Sequence, residues 1–140
     1  RAESISQDVF QRAGEILMEE RRKDFEVGGR PAWLASPTAQ AEGRKTMIKT
    51  GALRDRMRIS SISNDHVEVS VGEGLPYNFI HQFGGVIRAK NKPLLKFLIA
   101  GQWYSKKEVT IPARRHVRFP DEAILRLKEL FKNYLIEGTI

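Results

Sequence analysis

The chain contains no cysteine. That absence removes disulfides, thiolate nucleophiles and cysteine-based zinc sites in one step, and it fits a cytosolic protein. Histidine is scarce. His66, His81 and His116 are the only three, none lies in an H-E-x-x-H arrangement, and none shares a short spacing with another ligand. No apolar run approaches the roughly 20 residues that cross a bilayer. The longest, such as Phe97-Leu98-Ile99-Ala100, are strand-sized. The first residues begin at Arg1 rather than Met and lack the basic-then-apolar pattern of a signal peptide. There is no internal repeat and no G-x-S-x-G elbow. Gly72-Glu73-Gly74 is too short for a phosphate cradle and reads as the end of a strand. These absences predict no catalytic residue, no metal and no cofactor. A hydrolase would need a deep pocket gathering a serine, a histidine and an acid.

What remains is an ordinary small domain with a basic surface. At 140 residues the chain suits one domain, and a chain of this size buries roughly 68% of its unfolded surface. The formal net charge is +7, from 24 Lys+Arg against 17 Asp+Glu. Such a balance attracts nucleic acid, acidic protein surfaces or head groups, and it is equally the mark of a solvated basic face.

Periodicity divides the chain. Ile5, Val9, Ala13, Ile16 and Leu17 recur at spacings of three and four and predict an amphipathic first helix. Glu15, Glu19, Glu20, Arg21, Arg22 and Lys23 cover its other face, with Glu19 and Lys23 spaced for an ion pair. Gly28-Gly29 and then Pro31 end it. Residues 28–52 read as an irregular loop, with a short helix around Gln40 to Lys49 and a turn or cap at Ser36-Pro37-Thr38. Trp33, alone in this polar stretch, reads as an anchor pinning the loop to the core. Met57 and Ile59, then Val67, Val69 and Val71, alternate with polar residues and predict a hairpin turning at Ser63-Asn64-Asp65. Tyr77, Ile80 and His81 have helical spacing, after which Gly84-Gly85 turns the chain.

A second, extended hairpin is predicted over about 92–111. Its turn is at Gly101-Gln102, and Pro112 ends the return strand. Leu95, Phe97 and Ile99 point one way and Leu94 and Leu98 the other. Two apolar faces mean either burial between layers or contact with another subunit. Ile124, Leu127, Leu130, Phe131, Tyr134 and Leu135 predict a closing helix that starts at Pro120-Asp121-Glu122 and stops at Gly138. The fold class is therefore α+β: a single domain with an antiparallel sheet of about four strands, in two hairpins, against N- and C-terminal helices.

The basic residues suggest a partner-facing surface. Arg54, Arg56 and Arg58 alternate along what reads as one strand, so all three should share a face. Arg88, Lys90, Lys92 and Lys96 flank the second hairpin, with Lys106 and Lys107 on its return, and Arg114, Arg115 and Arg118 precede the last helix. Beside Trp103, Tyr104 and Phe83 such residues suit phosphates and stacked bases, although no named nucleic-acid motif is present. The alternative function is accordingly a basic nucleic-acid-binding protein without strong sequence specificity.

Four blocks occur in order: Trp33-Leu34-Ala35-Ser36-Pro37-Thr38, Thr50-Gly51-Ala52-Leu53-Arg54, Pro76-Tyr77-Asn78-Phe79-Ile80-His81-Gln82-Phe83-Gly84-Gly85, and Val109-Thr110-Ile111-Pro112-Ala113-Arg114. Together they resemble the phage virion morphogenesis family of Mu-type tail-completion proteins, from about Ser4 to Tyr134. One departure follows Ile111-Pro112-Ala113-Arg114. The family continues there with Pro and an aromatic, whereas Arg115-His116-Val117 puts charge where the family has apolar packing.

The resemblance implies a non-enzymatic subunit that completes the tail or joins head to tail, as a tail terminator or in the neck. It implies a homo-oligomeric ring, often a hexamer, with tail-tube and neck or connector proteins as partners and non-specific contact with packaged DNA. It implies no cofactor, metal or membrane. The protein would sit in the virion at the tail end or neck after assembly in the bacterial host cytoplasm, from a phage or prophage. Under this reading Leu94, Leu98, Trp103 and Tyr104 form the subunit interface. Arg54, Arg56, Arg58, Arg114 and Arg115 face the lumen or a partner. Trp33, Gly51, Tyr77, His81, Phe83, Gly84, Gly85, Pro112 and Arg114 have structural jobs: the glycines set turns, Tyr77, His81 and Phe83 lock the short helix to the sheet, and Pro112-Ala113-Arg114 aims the chain into the last helix.

Overall fold

The computed structural model describes residues 6–137. Helix α1 (Gln7–Val27) carries the predicted apolar stripe, with Val9, Ala13 and Ile16 buried; Ile5 lies outside the described residues. Gly28, in the left-handed region at φ 83°, ends the helix, and the amides of Gly28 and Gly29 both donate to the Asp24 carbonyl. Val9, Ala13 and Ile16 meet Leu130 and Tyr134 of the closing helix α5 (Asp121–Glu137), with Val67, Leu127 and Phe131 packed around them. Phe10 meets Phe131 edge-on at 5.5 Å. Each large apolar side chain fully buried here contributes about 1.5–3 kcal/mol. Ile124 and Leu135, assigned to the same stripe, remain largely exposed, and Gly138 lies outside the described residues.

The opposite side of α1 departs from its pattern. Glu20 and Arg21, expected on a solvated face, are buried together with Asp24 and Phe25. Ion pairs cover the two acids, with Arg30 reaching Asp24 at 2.7 Å and Glu20 at 3.0 Å and Arg126 of α5 reaching Glu20 at 2.7 Å, while Arg21 is covered by the Leu53 and Arg54 carbonyls. Glu19 pairs with Arg12 and Arg126 rather than with Lys23. A helical period reports polarity, not which polar groups a later segment will cover.

Among the described residues six strands form three antiparallel pairs. The first is the predicted hairpin, β1 (Met57–Ile62) with β2 (Val67–Val71). Its register shifts between Ile59 and Ser61. This bulge puts Ile62 back on the face of Ile59, opposite Val67, where strict alternation would place Ser61. Gly14 of α1 lets this hairpin approach: a Cβ there would lie 2.9 Å from Ile59 Cδ1.

The second predicted hairpin is longer and divided. Strand β4 (Leu95–Ile99) pairs with β5 (Gln102–Lys106), and β3 (Gly85–Arg88), which the alternation did not signal, pairs with β6 (Glu108–Ile111). The α+β class holds, with six short strands in place of about four. The single return strand expected from Trp103 to Ile111 breaks at Lys107, whose carbonyl accepts from the Ala89 amide. The tip turn falls at Ala100-Gly101, φ 49° and 84°, one residue before the expected position. Two positive φ values in a two-residue loop match the twist of the flanking strands. Residues 85–111 thus form a two-tier arm.

Three short helices connect these parts. Helix α2 (Pro37–Ala41) starts three residues before the expected Gln40–Lys49 segment and overlaps only its first two residues, because Ser36 Oγ accepts from the Ala39 amide and Pro37 takes the first position. Helix α3 (Ala52–Asp55) follows Gly51 at φ 87°, and α4 (Asn78–Phe83) matches the predicted short helix.

Candidate functional site

The four sequence blocks converge. Ser36 of the first, Thr50-Gly51-Ala52-Leu53 of the second, Tyr77 and His81 of the third and Arg114 of the fourth line one cavity of about 340 Å³, joined by Arg44, Met47 and Lys49. Arg114 holds the assembly together. It is buried, its Nε donates to the Leu34 carbonyl at 2.6 Å, its Nη2 reaches the Ala35 carbonyl at 3.5 Å, and its amide donates to the His81 carbonyl at 2.7 Å. The residue assigned to a lumen or partner thus spends two guanidinium nitrogens tying the 33–36 loop to α4. Trp33 joins the same knot: Nε1 donates to the Arg115 carbonyl at 2.8 Å and the ring meets Phe25 edge-on at 5.1 Å. Arg115 itself is exposed.

Gly84 is where this knot demands glycine. Its φ is 73°, and a Cβ would sit 2.8 Å from both Ala113 N and the Ile111 carbonyl. Gly85 carries no such demand, since a Cβ there makes only ordinary 3.6 Å contacts with Ile80. Pro112 follows the last residue of β6, as its missing N–H requires.

Behind the cavity lies a polar core that the sequence did not signal. Buried Arg21 donates to the carbonyls of Leu53 at 2.8 Å and Arg54 at 2.9 Å, satisfying the end of α3. Its Nη2 also lies 3.0 Å from His116 Nδ1, and its guanidinium sits 5.0 Å from the Phe25 ring centre. Burial, partly offset by Asp24, lowers the Arg21 pKa to about 10, so the group stays charged at neutral pH. Burial and then the Arg21 charge lower His116 to about 4. His116 is therefore neutral: Nδ1 accepts from Arg21, and Nε2–H donates to the Asn78 carbonyl at 3.4 Å. The expectation that Arg115-His116-Val117 adds charge to an apolar position is corrected for His116, which is fully buried and uncharged. Gln82 clamps the turn, its Oε1 accepting from the amides of His116 and Val117, both at 2.9 Å. Gln82 was visible inside the third block; nothing in the sequence marks Arg21.

The arginine trio does not form a strand face. Arg54 lies in α3 and Arg56 just after it, and only Arg58 is in a strand. Arg54 makes a bidentate pair with Asp55 at 2.7 and 2.8 Å, Arg58 another with Glu73 at 2.9 and 3.2 Å, and Arg56 donates to the Glu73 carbonyl at 3.0 Å. Local acids thus balance much of the charge assigned to phosphates.

On the arm, Leu98 opposes Trp103 and Phe97 opposes Tyr104, whose rings stack at 6.2 Å. Opposed residues share a face, so Tyr104 lies on the side away from Leu98 and Trp103, and Leu94 precedes the strand. Trp103 is 72% exposed and Leu98 48%. Phe83, expected to lock α4 to a sheet, is instead 70% exposed and stacked on exposed Phe79 at 6.5 Å, because the helix turns that side outward. The two rings border a second cavity of about 510 Å³ with Gln82 and Val117. Tyr77 meets His81 edge-on at 5.8 Å.

One constellation has a hydrolase's connectivity. Ser61 Oγ lies 2.9 Å from His66 Nε2, and His66 Nδ1 lies 3.0 Å from Asp65 Oδ1. It sits on the exposed turn of the β1–β2 hairpin rather than in the deep pocket that nucleophilic catalysis needs, and Ser63 Oγ competes for the same Nδ1 at 2.7 Å. Among the described residues no group of three or more His, Asp or Glu side chains is placed to hold a metal ion, and no helix is long and apolar enough to cross a membrane.

The family model for phage virion morphogenesis matches residues 3–136. The chain belongs to that family. The match spans all four blocks that meet at the first cavity and the arm beyond them, and it assigns the molecule to phage assembly in a structural, virion-associated role. No curated protein and no solved structure matches the chain.

Proposed function

We propose that this family member completes the phage tail or joins head to tail as a homo-oligomeric ring, with the arm of one subunit seated on the next. The observation that carries the reading is the arm itself: Leu98 and Trp103 share one exposed face that no other part of the described chain covers. A contact between an arm and a different patch, such as the Phe79–Phe83 face, is heterologous, and heterologous contacts form a ring where the rotation between subunits closes.

Leu98→Asp combined with Trp103→Asp should leave the thermal melt unchanged and convert oligomers to monomers in sedimentation. Phage lacking the gene should yield tails that never join heads, or tubes of uncontrolled length. Normal particles from the deletion, or a double variant that still assembles, would overturn the proposal.

Charge favours a second role within the same assembly. Residues 85–111 contain six Lys+Arg and one acid, Glu108, so +5 of the chain's +7 sits on the arm. Only Arg88 among the six is paired, with that Glu108 at 2.8 Å. An arm lining a ring's channel would meet packaged DNA without reading its sequence. Retardation of duplex DNA that fades steeply with salt is the expected result, and none at low salt would dispose of it.

A further inference from the structure

The cavity where the four blocks meet has an unbalanced lining. Arg44, Lys49 and Arg114 contribute positive charge, and no carboxylate lines it. Arg44 is matched by Glu42 at 2.8 Å outside the lining. Lys49 shares the field of the same Glu42 carboxylate but makes no ion pair or hydrogen bond among the described residues, and Arg114 Nη1 has no partner among them after Nε and Nη2 serve Leu34 and Ala35. His81 and Tyr77 complete the lining on the α4 side. Two cationic side chains with unused N–H donors, lining one cavity that holds no carboxylate, describe a place for an acceptor.

We propose that this cavity is a receptor for the carboxylate of an acidic side chain from a partner polypeptide. Its size and lining decide the occupant. About 340 Å³ holds one side chain, a duplex is too wide to enter, and Met47, Ala52 and Leu53 offer apolar walls to a methylene stem. Lys49 and the free side of Arg114 supply charge-assisted bonds. Burial and then the Arg114 cation hold His81 below its ordinary pKa. The inference stands on the cavity alone and does not depend on the ring.

The test is a titration of the full chain with N-acetylglutamate at fixed ionic strength, followed by amide and imidazole NMR shifts. Expected are saturable shifts confined to Gly51, Ala52 and His81. Lys49→Glu should weaken binding at least about tenfold, about 1.4 kcal/mol. Lys49→Gln should weaken it less, and Lys106→Glu on the arm should leave it unchanged. Lys49 is exposed, and the spectrum itself reports whether each variant is folded. Shifts that follow salt alone, that persist in Lys49→Glu, or that inorganic phosphate or single-stranded DNA produces at lower concentration would overturn the proposal.

Discussion

Replacing His116 by Gln should flatten the dependence of stability on pH between about 7.5 and 5. The folded pKa is about 4, against 6.5 for a free imidazole, with burial the larger cause and Arg21 at 3.0 Å the second. Because the folded value is depressed, the unfolded chain takes up the proton first. Stability is greatest above pH 6.5 and falls as pH drops towards 4, by about 1.4 kcal/mol per unit. The loss reaches about 2 kcal/mol at pH 5 and about 3 kcal/mol over the whole window. Carboxylates held low by arginines, such as Glu19 and Asp55, lose their contribution only below the ordinary carboxylate range, so they do not mask the effect. His81 is shifted in the same direction by burial and Arg114, and its share remains in the variant. Gln can still accept from Arg21 and donate to Asn78, so the neutral-pH cost is confined to lost packing against Phe25, about 1–2 kcal/mol. Urea titrations at matched ionic strength measure both quantities. An unchanged drop between pH 7.5 and 5 in the Gln variant would refute the argument, since it would mean that His116 is not the buried neutral partner of Arg21.

Substitutions at Gly84, Gly85 and Arg114 probe the knot around the first cavity. Gly84→Ala should cost more than about 3 kcal/mol, because a positive φ and a 2.8 Å contact with backbone act together, whereas Gly85→Ala should lie within about 0.5 kcal/mol of wild type. Equal melting temperatures for the two would refute the assigned close approach. Arg114→Ala should cost about 2–3 kcal/mol by freeing the Leu34 and Ala35 carbonyls. Arg114→Lys should recover little of it, since an ammonium cannot fork to both.

Much of the chain was legible without coordinates. The stripe of α1, the valine alternation of β2, the start of α5 at Pro120-Asp121-Glu122 and the four blocks that carry the family all follow from local rules, because backbone period and caps depend on neighbouring residues. Strand β3 was not legible, since its exposed residues alternate against nothing and its partner β6 lies 20 residues on. Nor were the burial of Glu20 and Arg21, the neutrality of His116, or the outward turn of Phe83. Sequence by itself determined the two long helices, the first hairpin, the short helix α4 and the family to which the chain belongs. Only the tertiary structure decided that Arg114 is a tether, that Arg54 and Arg58 carry their own acids, and that four distant blocks enclose one cationic cavity. The reason is that burial and pairing depend on groups far apart in the chain, whose meeting no local period records.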